Sequence, residues 1–384
     1  MDNKNYRTCT RCVMDTTATE IVFDEKGTCN FCRDYDVLAV KTVLRPLEVR
    51  LKELDEAVSK IKEFGKGQKY DCLIGLSGGV DSSYICLWAK KVGLRPLIVH
   101  FDNGWNSELA VKNIENIIQK LGFDLYTHVI SWEEFKDLQL AYLKASVIDI
   151  EVPTDQLIFA SLFEIAKKYK IKSVVNGLNI VTEAILPRSW VYMDKLDIVN
   201  LTNIHKKFGT IPLKNFPKLG LTKQYVNRIL YKMNSVAPLN LIDYNKNEVK
   251  ETLINELGWR DYGGKHYESV FTRFYQGYIL LKKFGVDKRK AHLSTMIASG
   301  QITREEALHE LAQPTYDEKL QKEDLEYVIK KFGLTQEEFD ELMSRPPVPH
   351  EFYGTQWDKH EFRKHYIFKR LVGPLLNVVA AIKK

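Results

Sequence analysis

Residues 73–84 read LIGLSGGVDSSY. An apolar run stops at Ser77 and gives way to two glycines, an acid and two serines, after which apolar residues resume at helical spacing through YICLWAKK. A loop between a buried strand and a helix start is suited to holding an anion. Glycines let the backbone come close, and the unpaired N–H groups of the first helical turn point at the ligand. Ser77, Ser82 and Ser83 add hydroxyl donors. Asp81 inside such a nest is costly by charge alone, and makes sense when Mg²⁺ stands between it and phosphate oxygens. An N-cap needs one such residue, not this cluster. No Gly-Lys-Ser/Thr follows, so the loop is not a Walker A motif, and it is not G-x-G-x-x-G either.

Outward from the loop the pattern is strand–helix–strand. DCLIGLS, RPLIVHFDNGW, DLYTHVIS and KSVVNGLNI read as strands, with SSYICLWAKKVG, NSELAVKNIENIIQKLG and TDQLIFASLFEIAKKYKI as helices between them. This alternation predicts an α/β fold with a parallel sheet covered on both faces. Ligands of such sheets sit at the carboxyl ends of the strands. Three polar clusters fall there: Ser77–Ser83, Asp102-Asn103-Gly104-Trp105, and Asn176–Glu183. The expected organisation is a metal module (1–40), a connecting helix (41–69), the α/β nucleotide domain (70–245), a helical substrate and ATP-site region (246–345) and a basic aromatic tail (346–384).

Cys9, Cys12, Cys29 and Cys32 form C-x2-C-x16-C-x2-C. Two close pairs joined by a short loop can turn four thiolates onto one tetrahedral ion, and Gly27 suits the tight turn of the second arm. Four cysteine ligands leave no open position, which predicts structural Zn²⁺ without a redox role. Cys72, inside a strand, and Cys86, inside a helix, read as small buried hydrophobes. The chain of 384 residues, 45% hydrophobic and 28% charged, has room for two or three domains and no apolar run long enough to span a bilayer. The start MDNKNYRTCTRC lacks the layout of a signal peptide, so a cytoplasmic protein is expected. A net charge of +6 fits an anionic substrate without demanding nucleic acid.

SGGVDSS resembles the S-G-G-x-D-S signature of the PP-loop ATP pyrophosphatases, whose fold is that of the Rossmann-like adenine nucleotide alpha hydrolases. That resemblance implies attack of a substrate oxygen on the α-phosphorus of ATP, loss of pyrophosphate, and displacement of AMP by a nitrogen or sulfur nucleophile. Carried over by position, Ser77, Gly78, Gly79, Val80, Asp81, Ser82 and Ser83 would bind pyrophosphate and Mg²⁺. His100, Phe101, Asp102 and Gly177 would flank the nucleotide.

The cysteine pairs, SGGVDSSY, HFDNGWNSELAV and the run KHYESVFTRFYQGYILLKKFGVDKRKAHLSTMIASGQITREEAL together look like the N-acetyl sugar amidotransferases of bacterial surface polysaccharide and lipopolysaccharide O-antigen synthesis. The match runs roughly from Cys9 to Leu308. It implies an ATP-dependent conversion of an N-acetyl group into an acetamidino group on a nucleotide-linked diacetamido sugar. Candidate catalytic residues beside Asp81 are Lys265, Arg273, Lys288 and Arg289. Candidate substrate contacts are Asn103, Trp105, Asn179, Glu183, Arg188, His266, Glu268 and His292. Neither Cys72 nor Cys86 stands beside a glycine, so neither reads as a glutaminase nucleophile at a strained turn. The resemblance then implies ammonia from a separate glutaminase, similar to that of histidine biosynthesis and joined by its barrel partner.

A tRNA-thiolating enzyme with the same loop is the alternative, but it would want a reactive cysteine near the strand ends, and NGLNIVTEAILPRS has none. A zinc adaptor with a degenerate nucleotide domain is opposed by the intact loop. The tail HEFRKHYIFKRLVGPLLNVVAAIKK either docks as a terminal helix or lies on a membrane surface, with Gly373-Pro374 expected to break it.

Overall fold

A computed structural model describes residues 6–264 and 267–382 of the chain, with 374–382 described by their backbone alone. Helices α1 (Asn30–Lys41) and α2 (Leu47–Phe64) precede the sheet. Then come β1 (Cys72–Gly75), α3 (Val80–Lys91), β2 (Pro96–Asp102), α4 (Glu108–Leu121), β3 (Asp124–Val129), α5 (Trp132–Ala145), α6 (Val152–Lys168) and β4 (Ser173–Val175). Short α7 (Ile180–Glu183), α8 (Ile198–Phe208) and α9 (Leu221–Leu230) lead to β5 (Asn234–Val236). The remainder is helical: α10 (Lys246–Leu257), α11 (Val270–Phe274), a π-turn (Tyr275–Ile279), α12 (Leu280–Phe284), α13 (Arg289–Ala298), α14 (Arg304–Ala312), α15 (Glu318–Phe332), α16 (Gln336–Ser344) and α17 (Lys359–Ile382).

Among the described residues the five strands pair in parallel in the order β3-β2-β1-β4-β5. Strands β1 and β2 are apolar because helices cover both faces, and Cys72, Leu73 and Ile74 have no exposed surface. The chain winds outward from β1 in one direction through β2 and β3, then in the other through β4 and β5. The crevice lies where that order reverses, between the ends of β1 and β4. The loop SGGVDSS leaves β1 there, and Asn176–Asn179 leaves β4.

Several expectations change. A fifth strand stands in a stretch without alternation. Helix α1 occupies the second arm of the metal module, and α5, absent from the sequence reading, packs against α8. The helical region from Lys246 is interrupted after Leu257, and Trp259, Tyr262 and Glu268 come back over the β1 loop. Gly373-Pro374 does not break α17. A proline inside a helix forfeits one backbone hydrogen bond. Here Gly373 is buried and α17 lies along α9, so tertiary contact holds the helix through that loss. The tail packs as a terminal helix along α9. No helix among the described residues is long and apolar enough to cross a membrane.

The N-terminal module is not a separate lobe. Its four cysteines, Met14 and Ala18 share one apolar core with Trp105, Tyr142, Phe271 and Phe274. Val13 N–H donates to Ser294 Oγ of α13 (3.2 Å), and Arg304 donates to the carbonyls of Cys12 (3.1 Å) and Cys9 (3.2 Å). Lys290 of α13 pairs with the fully buried Asp15.

A candidate nucleotide and substrate site at the strand ends

The β1 loop is built as an anion cradle. Gly78 adopts φ +86°, and a Cβ there would stand 2.9 Å from the carbonyl oxygen of Ala110, so only glycine fits. Helix α3 opens at Gly79 without a side-chain cap, which leaves its first N–H groups for a ligand. Ser77 and Ser82 hydroxyls face each other at 3.2 Å, Gly79 N–H donates to Ser77 Oγ (3.2 Å), and Ser82 Oγ donates to Gly79 O (3.2 Å). Ser83 departs from this set. It is fully buried within α3. Val80 is likewise buried, so it can offer only its backbone.

Gly177, from the end of β4, crosses close over the helix start. A Cβ there would lie 3.0 Å from Asp81 backbone and side chain. Tyr244 donates its hydroxyl to Asp81 Oδ1. Burial, then the Asp81 charge, pushes that phenol above its ordinary value, so it stays protonated and remains a donor. From the returning segment, Trp259 Nε1 donates to Gly78 O (2.8 Å). Tyr262 and Glu268 stand over Gly79, their oxygens 3.2 and 3.6 Å from where a Cβ would be. The backbone at Glu268–Val270 is stitched to the end of β2, with Ser107 N–H donating to Glu268 O (2.9 Å) and Val270 N–H to Trp105 O (2.8 Å). None of Tyr244, Trp259 and Tyr262 was singled out from the sequence; an aromatic residue in a long loop carries no local mark of the anion nest it will cover.

Beside the cradle opens a cavity of about 760 Å³. Five candidates line it together: Glu183, Arg273, Lys288, Arg289 and His292. Tyr267, Gln276 and Tyr316 complete much of its wall and were not anticipated. His292 makes Nδ1 contact with Thr182 O (2.8 Å), and Lys246 Nζ reaches its Nε2 (3.2 Å). A carbonyl needs a donor and an ammonium needs an acceptor, so the ring is neutral with the proton on Nδ1. Arg273 forms a two-bond pair with Asp324 (2.7 and 2.7 Å). Arg289 binds Asp287 and the carbonyls of Glu310, Gln313 and Pro314. Both guanidiniums therefore shape the wall. Lys265 and His266 lie outside the described residues.

Other candidates are placed elsewhere. Trp105 is a core residue, 1% exposed, stacked on Phe271 at 5.0 Å with its Nε1 donating to Gln139 (2.8 Å). The chain turns at Gly104, where φ is +80°, and the indole beyond it enters the buried core. Asn179 is buried as the cap of α7, its Oδ1 accepting from Thr182 N–H (2.8 Å). Exposed Arg188 adjoins Ser189, which bonds the N-terminal module through Thr19 and Glu20, outside the cavity wall. His100 is buried, its Nδ1 against Leu76 O (3.0 Å) and Nε2 against Asn106 Nδ2 (3.1 Å), and burial lowers its proton affinity. It is thus a neutral brace between the ends of β1 and β2. Phe101 packs on His128 (5.8 Å). Asp102 and Asn103 cap the turn before Trp105, each accepting from a backbone N–H two residues on (3.0 and 3.2 Å).

Behind the cavity Thr272 donates to Glu151 (2.8 Å) at the start of α6. The Glu151 carboxyl is pushed up to about 7, chiefly by desolvation and then by Asp155 and Asp149, against the Thr272 bond and Lys288. A carboxyl whose folded value is raised stabilises the fold fully below its unfolded value of 4.5 and loses that contribution as pH rises through about 7. Glu151→Gln is therefore expected to be roughly 2 to 3 kcal/mol more stable than the parent at pH 8 and nearly equal at pH 4.5. Denaturant melts at both pH values check this; parallel curves would remove Glu151 from the account.

The four cysteine sulfurs lie within 4.8 Å of one another, all buried. Cys9 and Cys32 sulfurs are 3.9 Å apart and Cys12 and Cys29 sulfurs 3.7 Å. Four thiolates around zinc at the usual bond length would be about 3.8 Å apart. Backbone N–H groups of Arg11, Cys12 and Cys29 point at Cys9 Sγ (3.4, 3.4 and 3.3 Å), the outer support that a metal thiolate needs. The set fits a closed, tetrahedral metal centre.

Residues 268–365 match the family model described as LPS biosynthesis protein WbpG-like, C-terminal domain. The match starts at Glu268, over the cradle, and takes in Arg273, Lys288, Arg289 and His292. No curated protein matches the chain. Among solved structures the chain is similar to an NMN synthetase from Francisella tularensis at 14% identity and TM-score 0.30, covering 58% of this chain and 100% of that one. It is also similar to an NH3-dependent NAD synthetase from Campylobacter jejuni in complex with a nitrate ion, at 14% identity and TM-score 0.28, covering 54% and 93%. Likenesses at that level leave the site to be argued from its own geometry. Much of the cavity wall comes from the segment that matches this WbpG-like domain model.

Proposed function

We propose that the chain is an ATP-dependent, AMP-forming amidotransferase acting on an N-acetyl group of a nucleotide-linked sugar. One observation carries the reading: an uncapped helix start with a left-handed glycine and Asp81, at the switch point of a parallel sheet, opens beside a cavity lined by Lys288, His292 and Glu183, with much of its wall from the matched segment. An amide carbon is a poor electrophile. Attack of its oxygen on the α-phosphorus expels pyrophosphate and leaves the carbon joined to a phosphate ester oxygen. Ammonia adds to that carbon, the C–O bond breaks, AMP departs with the oxygen, and loss of a proton leaves the amidine. The chain's task is to hold ATP and amide in line and to stabilise the charge that develops.

In this scheme Ser77, Gly78, Gly79 and Ser82 cradle the pyrophosphate. Asp81, oriented by Tyr244, would hold Mg²⁺, which when bound neutralises phosphate charge. Lys288, with the neutral His292 and Glu183, faces the sugar and its phosphates. The four cysteines would hold structural zinc. Ammonia comes from a separate glutaminase. In support of that partner, Cys72 and Cys86 are fully buried, and burial pushes both thiols well above their ordinary values, the opposite of a nucleophile's setting.

The test supplies ATP, Mg²⁺, ammonium chloride and a panel of UDP- and CMP-linked diacetamido sugars. The expected result is pyrophosphate and AMP, with one sugar lighter by the difference between oxygen and an NH group. Thiolation of bulk tRNA with silence across the sugar panel would move the reading to sulfur transfer. Release of glutamate from glutamine by the chain alone would remove the partner.

A further inference from the structure

Between Asp197 and Asp243 the chain has no acidic residue, yet it carries seven lysines and arginines from Lys206 to Lys232. All seven are exposed. Helix α17, up to Gly373, adds exposed Lys359, Arg363, Lys364, Lys369 and Arg370 against one acid, Glu361. The whole chain is only +6, so the rest of it is net negative.

The fold brings part of this charge together. Helix α17 lies along α9. The His365 ring meets Tyr225 at 6.0 Å, and its Nδ1 is 3.4 Å from Thr222 Oγ1. Lys369 sits over the Tyr225 ring at 5.6 Å, and a Cβ on Gly373 would be 2.7 Å from the Tyr225 hydroxyl. Helix α9 has no fully buried residue, so this pair forms an outer layer.

That layer is not simply solvated. Tyr366, Ile367 and Leu371 on α17 are 55%, 45% and 68% exposed, and Trp357 just before it is 54% exposed. Large apolar side chains interleaved with lysine and arginine are the composition of a surface that meets lipid headgroups: cations reach the anionic phosphates while aromatic and aliphatic groups enter the boundary. We infer that the α9–α17 face docks on an anionic phospholipid bilayer, lying on it without crossing it. Like charge opposes pairing of this face with a second copy. Nucleic acid would use the cations and could stack on aromatics, but it has no use for Ile367 and Leu371. This inference is independent of the reaction proposed above.

The test is sedimentation of the full chain with vesicles of phosphatidylglycerol in phosphatidylcholine and with pure phosphatidylcholine. Binding is expected to the first only, and to fall with salt. Arg228→Glu/Arg363→Glu/Arg370→Glu should weaken it by about tenfold or more. Tyr366→Ser/Ile367→Ser/Leu371→Ser should remove the binding that survives high salt. Circular dichroism melts of both variants are expected to match the parent, which separates lost docking from lost folding. No binding to either vesicle, equal binding to both, or unchanged binding by the charge-reversed variant overturns the inference. So does tighter binding to tRNA or duplex DNA than to the anionic vesicles.

Discussion

Cys29→Ser is expected to abolish ammonia-dependent turnover, although Cys29 is no part of the cavity wall. Four buried thiolates this close repel one another unless a cation holds them, and a structural zinc site contributes on the order of 10 kcal/mol to the fold that encloses it. The module so held is the floor beneath α13. Val13 bonds Ser294, Asp15 pairs with Lys290, and Arg304 clasps the carbonyls of Cys9 and Cys12. Helix α13 and the residue before it present Lys288, Arg289 and His292 to the cavity. Losing one ligand should release the metal, lower the melting temperature and disorder that wall together. Elemental analysis, a thermal melt and the pyrophosphate assay on one preparation check the chain of effects. A metal-free variant with full turnover would show that α13 keeps its place without the module.

Asp81→Asn should leave the fold within about 1 kcal/mol of the parent and reduce turnover by about 10²- to 10³-fold. The amide keeps the size of the carboxylate and can still accept the Tyr244 hydroxyl. What it removes is the negative charge proposed to hold Mg²⁺ against the departing pyrophosphate. Asp81 is partly exposed at the first turn of α3, so little packing changes. Turnover should recover poorly with excess Mg²⁺, and the apparent affinity for the metal should fall. An Asp81→Asn variant as fast as the parent at low Mg²⁺ would take Asp81 out of the chemistry and leave it as a partner for Tyr244 alone.

The expected features fared unequally, and for physical reasons. The β1–α3–β2–α4 succession was legible because each strand is a short apolar run and each helix repeats apolar residues every three to four positions. β5 was not, since three residues cannot display a period. The cysteine spacing predicted a cluster that the structure closes to tetrahedral distances, because such a knuckle is made by neighbours in sequence. Trp105 read as a rim aromatic because it follows the end of a strand. Its burial depends on Phe271 and Phe332, far along the chain. Arg273 and Arg289 were legible as cations. Their engagement with Asp324 and Asp287 came from tertiary contact or from a turn that the sequence does not mark.

By itself the sequence determined the parallel α/β class, the anion cradle at Ser77–Ser82 and the four-thiolate cluster, all of them consequences of short-range spacing. The tertiary structure alone decided that Trp259, Tyr262 and Glu268 lie over the cradle, that Tyr244 faces Asp81, that the N-terminal module props α13, and that α9 and α17 join their charge on one outer face. Each of those joins residues far apart in the chain. Their pairing depends on which buried surfaces fit together, and that choice leaves no periodic trace in the residues that make it.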